Sequence, residues 1–266
     1  MRLNNVEIKS NQAINKIGDV YKMGLYSEFI CNNASPGQFL HIECSPTFDP
    51  LLRRPFSIND VDYKNKIVYI CYALIGGGTR QLKRKRAGDE LSVLGPLGKG
   101  FSVVPDTRAY VVGGGIGSAP LLFLTTELAR KAREIDVNVL LGASSDEYLI
   151  QKEEFNSRQN VRIRYATDDG SYGSQGTVTE LLEPELERAR VCELNDMIIY
   201  SCGPLAMLKK VKELSLKYKI PAQLSFETKM ACGVGACLGC AIKTGDYYSK
   251  ACNEGPVFRA DEVEIE

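Results

Sequence analysis

The chain has 266 residues, 44% of them hydrophobic and 25% charged, an ordinary globular composition that excludes a disordered polypeptide. Its 33 basic and 33 acidic side chains cancel, so there is no electrostatic footprint for nucleic acid or an anionic membrane. No apolar run reaches the roughly 18 residues of a bilayer span, and the opening MRLNNVEIKS lacks the apolar core of a signal peptide, which predicts a soluble cytoplasmic protein.

At roughly 100–200 residues per domain the length predicts two compact domains and a small appendage. The first, residues 1–102, is β-rich. Phe39–Cys44 and Lys66–Ala73 carry β-branched and aromatic residues between Pro-Gly, Asn-Asp and Gly-Gly turns, the pattern of a small antiparallel barrel. His41, the only histidine, lies in the run FLHIEC and reads as an imidazole on a half-buried strand. With one histidine, His-dependent triads and multi-histidine zinc sites are excluded. Arg53-Arg54-Pro55-Phe56-Ser57 opens a strand with an arginine, a planar ring and a hydroxyl close together, a set suited to one bound cofactor or simply to a charged strand entrance. GPLGKG (95–100) closes the segment as a loop.

Residues 103–222 alternate strands and helices, which predicts an open parallel sheet. Strand Ala109–Val112 runs into Gly113-Gly114-Gly115-Ile116-Gly117 and then a helix over Ala119–Arg133. A Gly-rich strand-to-helix turn offers backbone N–H groups to a pyrophosphate, though a plain tight connection has the same look. Strands Val137–Leu141, Val161–Ala166 and Met197–Tyr200 and an amphipathic helix Leu205–Tyr218 follow. No acidic residue stands cleanly at the end of the second strand and no arginine is near for a 2′-phosphate, which leans to NAD over NADP. The loop Asp168–Gly176 suits either close approach to a ligand or a solvated turn. Ser201-Cys202-Gly203-Pro204 joins a strand to a helix at the carboxyl edge of the sheet, where ligands bind in such folds and where a small buried thiol would also fit.

Residues 223–266 are too few to bury a core and hold four of the nine cysteines. Nine is an odd number, which argues for metal or redox work rather than a disulfide framework. Cys232, Cys237, Cys240 and Cys252 are spaced C-x4-C-x2-C-x11-C, and four thiolates in a C-x4-C-x2-C…C arrangement are the ligands of a [2Fe–2S] cluster. Gly233, Gly235 and Gly239 allow the tight turns that aim N–H groups at sulfur. Structural zinc also takes four cysteines, usually as C-x2-4-C pairs, and is the alternative. The last gap is shorter than plant-type ferredoxins show, which leaves Cys252 the least secure ligand. Cys31, Cys44, Cys71 and Cys192 carry no motif and read as small core or surface residues.

Taken in order, RPFS, GGGT, GGGIG, SCGP and the cysteine run resemble the ferredoxin reductase-like flavoproteins, and more narrowly the electron-transfer subunits of NAD-dependent (class B) dihydroorotate dehydrogenases. The likeness covers nearly the whole chain, with MACGVGACLGCAIK and ACNEGPVF the most specific stretches. It implies an FAD-binding barrel, a Rossmann-like NAD domain and a [2Fe–2S] segment. Arg54 would hold the FAD pyrophosphate; Pro55, Phe56, Ser57, Ile70, Cys71 and Tyr72 would line the flavin; Gly78 and Thr79 would contact its phosphate. Gly113, Gly114, Gly115, Gly117, Cys202, Gly203 and Pro204 would border the nicotinamide nucleotide, and the four clustered cysteines would ligate iron. The chain departs from the wider pattern at Phe56, where a tyrosine is usual, and at Ala73, where an arginine often follows the tyrosine.

The resemblance further implies an adaptor between a two-electron pyridine nucleotide and a one-electron centre, with no catalytic acid or base of its own. An FMN-containing catalytic subunit would oxidise dihydroorotate in UMP synthesis, and an α2β2 heterotetramer would pass the electrons to NAD+. Flavin/iron–sulfur subunits of hydrogenases or of ferredoxin:NADP transhydrogenases share this layout. A non-enzymatic redox-sensing regulator is the alternative from another class.

Overall fold

The computed structural model describes residues 2–104, 107–131, 137–189 and 197–265. The expected antiparallel barrel forms from β1 (Arg2–Ala13), β2 (Val20–Tyr26), β3 (Phe39–Ile42), β4 (Arg54–Asp62), β5 (Ile67–Ala73) and β6 (Glu90–Leu97). They close in the order β1-β2-β5-β4-β3-β6. Alternate residues such as Ile8, Met23, Leu40, Ile42, Ile58 and Ile70 fill the interior. Two helices attach to the barrel: α1 (Glu28–Asn33), whose N-terminus is capped by Ser27, and α2 (Gly77–Arg84).

The second unit contains β7 (Arg108–Gly114), α3 (Ala119–Lys131), β8 (Val137–Ala143), α4 (Lys152–Asn156), β9 (Val161–Thr167), β10 (Ser174–Gln175), α5 (Val178–Ala189), β11 (Met197–Cys202), α6 (Leu205–Tyr218) and β12 (Ala222–Ser225). These strands run parallel, in the order β10-β9-β8-β7-β11-β12. The chain leaves β7 toward β8 on one side and returns to β11 on the other, so the crevice for a ligand lies beyond the carboxyl end of β7. The helix expected to reach Arg133 is described as far as Lys131; its last two expected residues, like Cys192, lie outside the described residues.

The last segment adds a hairpin, β13 (Ala241–Thr244) and β14 (Tyr247–Lys250), and then β15 (Val257–Arg259), which pairs antiparallel with β12 as the sheet's edge. Cys240, Ala251, Cys252 and Phe258 share one core with Phe39 and Leu97 of the barrel and Leu208 and Leu224 of the sheet unit. The segment therefore shares the core of its larger neighbours.

Barrel and sheet meet through a buried amide pair. Asn59 Nδ2 donates to Ala119 O (2.7 Å) and to Gln151 Oε1 (2.8 Å), and Gln151 Nε2 donates back to Asn59 Oδ1 (3.1 Å). Replacing Asn59 by alanine strands the Gln151 amide and the Ala119 carbonyl away from water. The expected loss is about 1–3 kcal/mol per unsatisfied group, read as a lower denaturant midpoint; an unchanged midpoint refutes it.

Candidate functional site

The first of two neighbouring clefts has a volume of about 860 Å³ including its open mouth, and lies where the barrel faces the sheet. Pro55, Phe56 and Ser57 on β4, Cys71 and Tyr72 on β5, and Thr79 on α2 line it from the barrel side. Phe56 and Tyr72 meet edge to face at 5.8 Å, Tyr72 stacks on Tyr21 at 5.7 Å, and Tyr72 Oη donates to Asn11 Oδ1 (2.8 Å), so the aromatic wall is fixed. Across the cleft, Thr228 Oγ1 is buried with no hydrogen-bond partner. A flat apolar wall facing an orphan hydroxyl fits a planar heteroaromatic group with hydrogen-bonding edges.

The two adjacent arginines divide their labour. Arg53 is spent on structure: Nη1 donates to Ser92 O (2.7 Å), and Nη2 donates to Glu43 Oε2 (2.9 Å) and Ser92 Oγ (2.7 Å). The described contacts of Arg54 Nη1 are backbone carbonyls only, Leu52 O at 2.7 Å and Arg53 O at 3.2 Å. Arg54 lies against the first turn of α2, where a Cβ on Gly78 would stand 3.3 Å from Arg54 Cγ. A guanidinium without a carboxylate beside a helix N-terminus suits a phosphate.

The second cleft, about 690 Å³, is walled by Gly114, Gly115, Gly117, Gly203 and Pro204 at the end of β7 and β11. Its two glycine turns pack backbone on backbone: a Cβ on Gly117 would stand 2.5 Å from Gly203 Cα. Ile116, Phe226 and Glu227 line both clefts, so ligands in the two would meet edge to edge there. Glu227 opens to solvent through the cleft mouth, yet the surrounding walls push its carboxyl pKa upward.

Beyond this junction the four clustered cysteines influence one another: Cys237 acts on the Cys232 thiol, and Cys240 and Cys232 act on Cys252. The Val234 N–H donates to Cys232 Sγ (3.4 Å) and the Gly235 N–H to Cys252 Sγ (3.1 Å). The first of these holds the Cys232 thiol down to about 6. Among the described residues no three ligand side chains converge on a single ion's position. Four thiols in one segment, two of them accepting backbone N–H groups, are the donor set of an iron–sulfur cluster.

Residues 227–264 match the iron–sulfur cluster binding domain of dihydroorotate dehydrogenase B, and residues 111–213 match the oxidoreductase NAD-binding domain. The electron transfer subunit of dihydroorotate dehydrogenase B (NAD(+)) from Desulforamulus reducens is 37% identical over 92% of both chains. That from Caldanaerobacter subterraneus is 39% identical over 96% of both. The chain belongs to the family of dihydroorotate dehydrogenase B electron transfer subunits. Among solved structures it is similar to a chain of the NADH-dependent reduced ferredoxin-NADP oxidoreductase, with a TM-score of 0.83 and 27% identity over 98% of this chain and 90% of that one. A Neisseria gonorrhoeae ferredoxin NADP+ reductase with bound FAD and NADP shares the fold alone, with a TM-score of 0.65 and 17% identity over 82% of this chain and 92% of that one.

Within this electron transfer subunit, Pro55, Phe56, Ser57, Cys71, Tyr72 and Thr79 come together on one wall, and Gly114, Gly115, Gly117, Gly203 and Pro204 on another. Ile70 points into the barrel, and Gly113 packs between Leu121 and Leu141. Cys202 is buried beneath its turn, its thiol pushed up to about 12 by burial. The loop Asp168–Gly176 lines neither cleft; its Ser171 Oγ accepts from the Asp146 N–H. Sequence reasoning missed Phe226, Glu227 and Thr228, which carry no motif and reach the clefts only because β12 is the sheet strand beside the cysteine segment. His41, expected to be half-buried, is fully buried, because the cysteine loop closes over its strand.

Proposed function

We propose that this chain carries electrons from dihydroorotate oxidation on a catalytic partner to NAD+, in the de novo synthesis of UMP. The observation that carries the reading is the shared wall of the two clefts at Ile116, Phe226 and Glu227, beside the clustered cysteines. Family membership supplies the substrate. In this reading residues 1–102 hold FAD, 103–222 the nicotinamide nucleotide and 223–266 a [2Fe–2S] cluster. When bound, the flavin exchanges a hydride with NAD and single electrons with the cluster.

The chain's own residues position these groups. Arg54 and the start of α2, with Gly78 and Thr79, hold the FAD pyrophosphate; Pro55, Phe56, Ser57, Ile70, Cys71 and Tyr72 form the strands behind the ring. Gly113, Gly114, Gly115 and Gly117, with Cys202, Gly203 and Pro204, give the nucleotide a side-chain-free floor. Cys232, Cys237, Cys240 and Cys252 would hold the cluster. The partner is an FMN-containing subunit in an α2β2 assembly in the cytoplasm. Cys237 is exposed beside Val234 and Leu238, and Tyr247 and Tyr248 are exposed on the following hairpin, a surface suited to that partner. No described helix is long and apolar enough to cross a membrane.

The experiment is anaerobic isolation of the native complex through an affinity tag on this chain, followed by dihydroorotate and NAD+. NADH and orotate are expected to form one for one. NADH-driven reduction of the flavin without any response to dihydroorotate would replace the partner with one of the ferredoxin–NADP oxidoreductase kind.

A narrower prediction separates the arginines. Arg54→Gln removes a charge-assisted phosphate contact of about 1.5–3 kcal/mol, so FAD affinity is expected to fall roughly 10–100-fold with little change in melting temperature. Arg53→Gln is expected to lower the melting temperature and spare FAD affinity. Flavin titration and thermal melts of both variants check this, and the reverse pattern refutes it.

A further inference from the structure

Among the described residues, the one histidine of the chain is the buried side chain with both of its polar atoms unpartnered. His41 is fully buried, and both ring nitrogens lack a hydrogen-bond partner. Burial keeps the ring neutral, bringing its pKa down to about 4; the nearby Arg53 carbonyl opposes that shift without forming a hydrogen bond of good geometry, and the Arg53 and Arg54 charges add to it. A neutral imidazole has one N–H to donate. Buried donors in native proteins are paired, so an orphan here marks a missing partner.

Its position indicates which partner. Leu40 and Ile42 on β3 point into the barrel, so His41 and Phe39 point out of it. In register, Phe39 faces Ser57 and His41 faces Pro55, both on the wall of the first cleft. On the other side the ring meets the cysteine loop: a Cβ on Gly233 would overlap His41 Nδ1. Gly233 is buried and left-handed, with φ +69°, so glycine is required there for both backbone and space. His41 thus stands between the strand that lines the cleft and the residue that follows Cys232.

We propose that His41 is a positioning residue for electron transfer: its ring seats the cysteine loop on the β3–β4 wall, and its N–H donates a hydrogen bond to a sulfur of the cluster, whether sulfide or cysteinate. This rests on the [2Fe–2S] reading. Hydrogen bonds to cluster sulfurs raise the reduction potential, so His41 favours acceptance of an electron by the cluster while fixing the loop against the flavin wall.

Because His41 is the only histidine, isotopic labelling of histidine reports on it alone. The full chain, cluster-loaded and without a histidine tag, would be grown on 15N-histidine, reduced with dithionite and examined by pulsed EPR. The expected result is a weak 15N coupling to the reduced cluster that disappears in His41→Leu, with a lower cluster midpoint potential in that variant and partial recovery in His41→Gln. A normal cluster signal with no 15N coupling, or a potential that His41→Leu leaves unmoved, overturns the proposal. Absence of any two-iron signal instead overturns the cluster reading. Should His41→Leu fail to fold, the wild-type spectrum decides alone.

Discussion

Cys252→Ser is expected to stop electron flow between dihydroorotate and NAD+ while sparing dye reduction by NADH at the flavin. Cys252 is 1% exposed, accepts from the Gly235 N–H and shares its core with Ala251 and Phe258. Changes around a metal ligand typically cost about 10–100-fold in affinity or activity, and loss of the ligand itself should exceed that range. The barrel and sheet are expected to stay folded, because β15 remains paired to β12 and the segment's apolar residues remain in the shared core. The measurement compares iron content, cluster EPR and the two activities in the complex. Full cluster content with an unchanged dihydroorotate-to-NAD+ rate would remove Cys252 from the ligand set.

Gly117→Ala should act at the other end of the path. The new methyl would stand 2.5 Å from Gly203 Cα and 2.7 Å from Gly203 N, and both of those are backbone atoms that cannot rotate away. The two turns flooring the second cleft must separate. Overpacking of this kind costs about 1–3 kcal/mol, which the melting temperature will show. The larger effect is kinetic, since a displacement of about 1 Å at a reacting site can cost roughly 100-fold. Flavin reduction by NADH in stopped flow is expected to slow by about that factor while dihydroorotate still reduces the cluster. Gly115→Ala is the contrasting control: a Cβ there meets no atom within 4 Å, although φ +53° makes the conformation mildly unfavourable. Equal slowing in both variants would refute the clash as the cause.

Much of this protein is written in short-range patterns. The cysteine motif is readable because three of its four thiols fall within nine residues, a short-range spacing. The β-rich barrel and the βαβ alternation were readable because periods of two and 3.6 residues report local backbone geometry. The glycine turns marked themselves by composition. What the sequence did not reveal depends on contacts between residues far apart in the chain. Nothing local says that Arg53 is tied to Glu43 and Ser92 while the Nη1 of Arg54 meets only backbone carbonyls. Nothing marks Asn59 and Gln151 as the amide pair that joins barrel and sheet, or Glu227 as one of the residues common to two clefts. The three-residue β15 has no periodicity to detect and exists because β12 offers it an edge. His41 looked like an ordinary strand residue; only the closure of a loop nearly two hundred positions later buries it and leaves its nitrogens unpaired. Local chemistry determined the cofactor-bearing motifs, and tertiary packing decided which side chains meet them, because burial and partnership are properties of the folded whole.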